Sequence, residues 1–371
     1  MSQLFSPWQI GPLELENRIV VAPMCQYSAL NGDAQDWHTI HLGTLAQSGA
    51  GLLIIEATAV SPEARITPDD LGLYSDANEA ALGRVMQAIG KHANSLLAIQ
   101  LAHAGRKASS YAPWDGGAQI PSDQPQGWMA VAPSAVAHGH GEEAPQALDD
   151  AGLAKIRGDF ATAARRAVHL GFRGIEVHMA HGYLLHQFLS PLANHRSDDY
   201  GGSLDNRMRF PLEVFGAVKS AVPDTVPVWV RVSGTDWVPG GWDIEDAVAL
   251  GLRLKERGCA AIHVSSGGVS TKQEIPLSDG YQVHLAARVK DGVGVPTIAV
   301  GLITEPRHAE EILINGEADA IALARGMLYD PRWPWHAAAE LGAEIKAPQQ
   351  YWRSQPRQYK TLFQQAKIGQ R

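Results

Sequence analysis

Within the run Gly174-Ile-Glu-Val-His-Met-Ala-His-Gly-Tyr183, two imidazoles and a phenol lie close together just past an apolar segment. Ile175 and Val177 alternate with Glu176 and His178 at the two-residue period of a strand, and Gly182 marks a break. His178, His181 and Tyr183 should therefore project from a strand-to-helix turn. A neutral imidazole can donate a hydrogen bond to a carbonyl or nitro oxygen, and a tyrosine hydroxyl can give up its proton to a carbanion developing beside it. The trio is expected to activate a small electron-poor substrate. Two other readings stay open. His-x-x-His can be a metal-ligand pair, as in a metal-dependent barrel hydrolase, although no nearby carboxylate or thiolate offers an obvious third ligand and His-Glu-x-x-His is absent. Either histidine could also be a satisfied core residue.

The chain has 371 residues, 45% of them hydrophobic, which is ample for a substantial core. Thirty-one basic against 39 acidic residues give a formal charge of −8 with no dense basic block, so a small-molecule partner is expected, with no nucleic acid and no membrane. No basic-then-apolar leader stands at the start and no long apolar run follows, making the cytoplasm the default location. Cys25 and Cys259 are too few for a disulfide framework or a four-cysteine iron-sulfur cluster.

The elements that must position the trio are legible as repeated units. Short apolar runs bounded by turn residues span Arg18–Ala22, Leu52–Glu56, Leu96–Leu101, Gly174–His178, Val228–Val232, Ala261–Ser265, Thr297–Val300 and Ala320–Ala324. They are rich in Val, Ile, Leu and Ala, as parallel strands buried on both faces require. Amphipathic stretches lie between them, including Asn78–His92, Leu153–Leu170, Asn206–Ala221, Ile244–Arg257, Gln282–Lys290 and Pro306–Asn315. Strands and helices alternating in this way predict an α/β fold, a (β/α)₈ TIM barrel in one domain over 1–371. A doubly wound sheet is disfavoured because no Gly-x-Gly-x-x-Gly follows the first strand. The segment 104–150, rich in Gly, Pro, Ser and Trp, is expected to form a lid between the third and fourth strands.

A barrel's site lies at the C-terminal ends of its strands, and Cys25, Gln100, His178, Arg231, Gly301 and Arg325 all fall there. Gly301 and Arg325-Gly326, after the seventh and eighth strands, suit a phosphate: glycine lets the backbone approach and the guanidinium adds charge-assisted bonds. On the opposite side, Pro23-Met24-Cys25-Gln26-Tyr27, Ala57-Thr58 and Gln100 suit a flat heteroaromatic ring, with Arg231 placed to neutralise negative charge on its edge after reduction. Those features describe a flavin. Core packing for Met24 and Cys25, ion pairing for Arg231 and Arg325, and a barrel-layer role for Gln100 remain alternatives. Arg196, Asp198, Asn206 and Arg207 read as scaffold around a helix start.

Taken together, Ala22-Pro-Met-Cys-Gln-Tyr27, Gln100-Leu-Ala-His-Ala-Gly-Arg-Lys107, His178-Met-Ala-His-Gly-Tyr183 and Arg196-Ser-Asp-Asp-Tyr-Gly-Gly-Ser-Leu-Asp-Asn-Arg-Met-Arg-Phe210 resemble, in order, the old yellow enzyme family of FMN-dependent ene-reductases. Cys25 and the His-His pair are similar to its thermophilic-like subgroup, which includes the YqjM-type enzymes and xenobiotic reductases. The resemblance implies noncovalent FMN held by Pro23, Met24, Cys25, Ala57, Gln100 and Arg231 around the ring and by Gly301, Ala324 and Arg325 at the phosphate. Many relatives carry Gly where Ala324 stands. It implies a substrate pocket of Tyr27, His178, His181 and Tyr183, with NADPH as hydride donor and NADH as an alternative. Activated alkenes would be reduced, His178 and His181 binding the activating oxygen and Tyr183 supplying the proton. It also implies a homodimer or homotetramer in which a C-terminal tail, about 347–371, brings Arg353 to the neighbouring subunit's substrate. A non-catalytic flavin-binding protein is the remaining alternative.

Overall fold

The computed structural model describes residues 2–367. Eight parallel strands close into a barrel. They are β1 (Ile19–Val21), β2 (Leu52–Ala59), β3 (Leu96–Ala102), β4 (Ile175–Met179), β5 (Val228–Ser233), β6 (Ile262–Ser265), β7 (Thr297–Ala299) and β8 (Ala320–Leu323). Each pairs with its sequence neighbours, and β8 pairs with β1 to complete the ring. The strands are buried along nearly their whole length, because the barrel interior covers one face and helices cover the other.

The outer ring comprises α1 (Asp36–Ala46), α2 (Asp76–Gly90), α3 (Asp150–His169), α4 (Leu184–Leu189), α5 (Leu204–Ala221), α6 (Ile244–Lys255), α7 (Val283–Val293), α8 (Pro306–Ile314), α9 (Arg325–Tyr329) and α10 (Trp333–Leu341). Ser75, Asp149, Ser203 and Asp243 cap α2, α3, α5 and α6, their side chains accepting backbone N–H groups otherwise left without partners. None of the helices among the described residues is long and apolar enough to cross a membrane.

Three features stand beside the regular alternation read from the sequence. A hairpin of Trp8–Ile10 and Leu13–Leu15 precedes the barrel, and Gly11 at its turn packs near Pro227 and Ala260, at the start of β5 and β6. It thus closes the end of the barrel opposite the site. Helix α1 follows β1, where no amphipathic stretch was legible. The connection between β3 and α3 is mostly loop, with a two-residue parallel pair of Val131–Ala132 and Gln146–Ala147. It is fastened rather than free: Arg106 donates to Val136 O and Ala137 O in that segment and to Val269 O beyond β6, and Trp128 Nε1 donates to Glu63 O.

The C-terminal segment folds against its own barrel. Trp335, Ile345, Leu362 and Phe363 form a small separate core, and Arg332 stacks over the rings of Trp335 and Tyr351. Residues 368–371 of the expected interface tail lie outside the described residues.

Candidate active site

Strand register builds the site row by row. Gln100 on β3 aligns with Glu176 on β4, which aligns with Trp229 on β5. In the next row His178 aligns with Arg231, and Arg231 with His263 on β6. These polar side chains therefore meet inside the barrel. Glu176 accepts hydrogen bonds from Gln100 Nε2 at 2.7 Å, Trp229 Nε1 at 2.8 Å and His263 Nδ1 at 2.9 Å. Burial would raise its carboxyl, but His263, the nearby Arg231 charge and the Trp229 hydrogen bond hold it down at about 2.

Arg231 is buried, and its Nε–H has no partner among the described residues. A buried guanidinium donor without an acceptor is costly unless something else supplies one. That is the observation expected of a residue whose acceptor is a ligand rather than a protein group.

Above this floor stand His178, His181 and Tyr183. The His178 ring centroid lies 5.2 Å from that of His181 and 5.1 Å from that of Tyr183, both edge-on. His178 Nδ1 accepts the Ala180 N–H, which leaves the proton on Nε2 as a donor. His181 Nε2 contacts Ser265 Oγ at 2.7 Å, whereas the Ser265 contact to Gln282 Oε1 is 3.4 Å. Burial, then Arg231, pushes both imidazoles well below their ordinary range and keeps them neutral. Burial, then the Cys25 and Tyr27 groups, pushes the Tyr183 hydroxyl well up and keeps it protonated.

The turn carrying these groups is held from several sides. His181 has a φ of 58°, a left-handed conformation costing about 1 to 2 kcal/mol for a residue with a Cβ. Ser233 Oγ accepts its N–H at 3.0 Å and Lys107 Nζ donates to its carbonyl at 2.9 Å. At Gly182, φ is 71° and a Cβ would lie 2.0 Å from the Gly268 carbonyl, so only glycine fits. His186 Nδ1 accepts the Gly182 N–H, while its Nε2 faces Asp236 at 2.9 Å. Lys107, Ser233, Ser265, His186 and Asp236 were not identified from the sequence, since their roles depend on contacts across different loops.

On one side of the mouth, Pro23, Met24, Cys25, Gln26 and Tyr27 form a half-buried loop after β1, with Ala57 and Thr58 buried behind it on β2. Glu56 accepts the Gln26 N–H and faces His38 on α1, which fixes the loop. Burial, then Asp70 and Glu56, pushes the Cys25 thiol up, so it is a neutral thiol. Tyr27 packs edge-on against Trp114 of the β3–α3 connection at 5.4 Å.

On the other side, a cavity of about 190 Å³ is lined by Arg231, Gln282, Gly301, Leu302, Ala324 and Arg325 among others. Gly301 has a φ of 133°, and a Cβ there would lie 2.8 Å from Gln282 Nε2. The Arg325 and Gly326 amides open α9 and so have no intrahelical acceptor. Exposed Arg325 adds positive charge at the rim. This cradle suits a phosphate, and together with the unpartnered Arg231 it fits FMN.

Arg353, by contrast, is exposed in the turn Gln349–Ser354. The adjoining residues Pro348–Tyr351 line a groove with Gln47 and Lys91–Asn94, which precede β2 and β3. The tail thus runs at the strand N-terminal end, away from its own chain's histidines. Arg196, Asp198, Asn206 and Arg207 serve the scaffold: Arg196 bonds Pro133 O and Leu148 O and pairs with Asp198, Asn206 bonds Gly201 O, and Arg207 bonds Leu189 O.

A parallel barrel with a glycine-lined cavity after β7 and β8 that suits a phosphate, and a buried unpaired arginine in register with His178 of a neutral His-His-Tyr cluster, is the arrangement a flavin-dependent oxidoreductase needs. Residues 3–344 match the NADH:flavin oxidoreductase / NADH oxidase family, and the chain belongs to it. It is 44% identical to an NADPH dehydrogenase of Bacillus pumilus over 94% of this chain and 98% of that one. It is 42% identical to an NADPH dehydrogenase of Geobacillus thermodenitrificans over 94% and 97% of the two chains. Among solved structures, morphinone reductase in complex with tetrahydroNAD superposes with a TM-score of 0.74 at 29% identity, covering 94% of this chain and 93% of that one. The old yellow enzyme homologue from Zymomonas mobilis gives 0.74 at 26% identity, covering 93% and 94%. The protein is an FMN-dependent enzyme of this family. Family membership decides against the metal-hydrolase and non-catalytic alternatives.

Proposed function

We propose that the enzyme is an ene-reductase that uses NADPH, with NADH as a second donor, to reduce the C=C bond of α,β-unsaturated carbonyl or nitro compounds. The observation that carries this reading is the pairing of His178, whose Nε2–H is left as a donor, with His181, whose Nε2 is held by Ser265, beside a protonated Tyr183. When bound, FMN supplies the hydride that NADPH delivers to it. The chain's own residues do the rest. His178 and His181 bind the electron-withdrawing oxygen, polarise the double bond and stabilise the negative charge that builds on that oxygen. Neutral imidazoles suit this task because they donate without protonating the substrate. Tyr183 gives its proton to the α carbon and is fixed beside His178 for that transfer.

In the same reading Pro23, Met24, Cys25, Ala57, Gln100 and Arg231 contact the flavin ring, and Gly301, Ala324 and Arg325 hold the phosphate. Arg231 is the group that balances charge on the reduced ring. Tyr27 closes the substrate pocket with Trp114 above it. The chain acts as one FMN-binding barrel with residues 104–150 as lid, and it assembles as a dimer or tetramer in which Arg353 reaches the neighbouring subunit's substrate. The tail's place away from its own chain's histidines is compatible with that role. Conversion of cyclohexenone to cyclohexanone by the purified protein and NADPH, identified by product mass, tests the reaction. NADPH oxidation that consumes only oxygen and leaves the enone intact would refute it.

A further inference from the structure

Beneath the flavin-contacting residues lies a fully buried carboxylate that the reaction does not touch. Glu176, Trp229 and His263 are completely inaccessible, and Gln100 is almost so. Its two oxygens are unequally loaded. Oε2 accepts from both Trp229 Nε1 and His263 Nδ1, while Oε1 accepts from Gln100 Nε2. Indole N–H can only donate, and the His263 ring, held neutral by burial, offers its one N–H to the carboxylate.

Gln100 can satisfy Glu176 only with its amide nitrogen, because a carboxylate accepts and does not donate. Its amide oxygen is therefore fixed on the side away from Glu176, with the second amide hydrogen beside it, and both are left for another partner. The pyrimidine edge of a flavin alternates acceptors with a single donor, the N3–H. A glutamine free to rotate could meet that edge with either end, but one whose nitrogen is bound to Glu176 meets it as an acceptor.

We propose that Glu176 is a positioning residue for the cofactor: it locks the Gln100 amide so that Oε1 accepts the flavin N3–H. The proposal rests on the reading of Gln100 as a flavin contact. Glu176→Gln supplies a directional test. In that variant the single remaining oxygen serves the Oε2 position, where two donors converge, which turns the new NH₂ toward Gln100. Two amide nitrogens cannot share that contact, so Gln100 flips and offers its own nitrogen to the ring.

The experiment measures binding of FMN and of 3-deaza-FMN, in which C–H replaces N3–H without added bulk, to apoprotein of the parent, Gln100→Ala and Glu176→Gln. The parent should favour FMN by about tenfold, as for one hydrogen bond. Both variants should lose most of that preference. If Gln100→Ala loses it and Glu176→Gln keeps it, the locking role is overturned while Gln100 remains a flavin contact. If Gln100→Ala keeps it, the flavin contact itself is overturned, and the locking role with it. Should Glu176→Gln not fold, ¹⁵N-labelled FMN in the unmodified holoenzyme gives a second readout. A protected N3–H resonance at neutral pH is expected, and one lost to rapid solvent exchange contradicts the proposal.

Discussion

Ser265 Oγ lies 2.7 Å from His181 Nε2, so one edge of this ring is committed to the barrel and the other is left for a ligand. A serine at the end of β6 thereby holds one ring nitrogen of a histidine after β4, and if it donates its proton there, Nδ1–H is the nitrogen left to donate to a ligand. Ser265→Ala should free the His181 tautomer and weaken binding of a para-substituted phenol, whose oxygen mimics an enolate. Loss of one such constraint is worth about 0.5 to 1.5 kcal/mol, or roughly twofold to twelvefold in Kd. An unchanged phenol Kd, followed by flavin absorbance, would show that Ser265 does not set the tautomer.

His178→Ala and His181→Ala should each cost more, because each removes a donor to a charged oxygen. About 1.5 to 3 kcal/mol, or more than tenfold in phenol affinity, is expected. Phenol titrations of both variants check this, and parental affinity in both would place the oxygen clamp elsewhere.

Tyr183→Phe should leave flavin reduction by NADPH nearly intact and slow the step with the enone. Because the Tyr183 pKa is raised, the hydroxyl stays protonated through neutral and mildly basic pH. The parent's enone step should therefore show no loss attributable to this group below pH 9 or so. Stopped-flow rates of the two half-reactions, compared across pH, are the check. Equal slowing of both halves would indicate a general disturbance rather than a lost proton donor.

Much of the barrel could be read from the sequence because parallel strands buried on both faces appear as uninterrupted apolar runs. Helix α1 could not. Its apolar residues are split, with Leu42 and Leu45 buried while Trp37 and Ile40 are exposed, so no single stripe marks it. The hairpin strands are only three residues long, too short to show a period. At the site, His178 and Tyr183 announced themselves by chemistry and proximity. Glu176 sat in the same run, two residues before His178, yet its meaning lies in Gln100, Trp229 and His263, which are 76, 53 and 87 residues away. Strand register, not local pattern, brings those groups together.

Acidification below neutrality should lower stability. Burial pushes His103, His138 and His41 down to about 4 from an ordinary 6.5. A depressed imidazole contributes stability that is full above the unfolded value and is lost as pH falls from 6.5 toward 4, since the unfolded chain takes up the proton first. Asp70, raised by burial to about 7, acts in the opposite sense: its contribution is full below its unfolded value of 3.8 and fades as pH rises through 7. Three imidazoles outweigh one carboxyl, so Tm should fall between pH 7 and pH 4.5. A Tm that is flat or rising over that range would contradict the neutral assignments.

Arg353→Ala tests the proposed shared pocket without disturbing the tail's own packing. Truncating the tail would strip Leu362 and Phe363 from Trp335 and Ile345 and so confuse folding with function. The point variant should raise enone KM severalfold, in keeping with roughly 1 kcal/mol for an exposed charged contact, while FMN content stays at the parental level. An unchanged enone KM would leave the tail as packing alone.

The most direct measurement of the central claim follows the flavin absorbance of the purified holoenzyme under anaerobic conditions. NADPH is added first and cyclohexenone second. The account predicts that the visible band bleaches with NADPH and returns with the enone, as cyclohexanone appears in step with the flavin reoxidised. A band that bleaches and then stays bleached with cyclohexenone, recovering only when air is admitted, would contradict ene-reduction at His178, His181 and Tyr183.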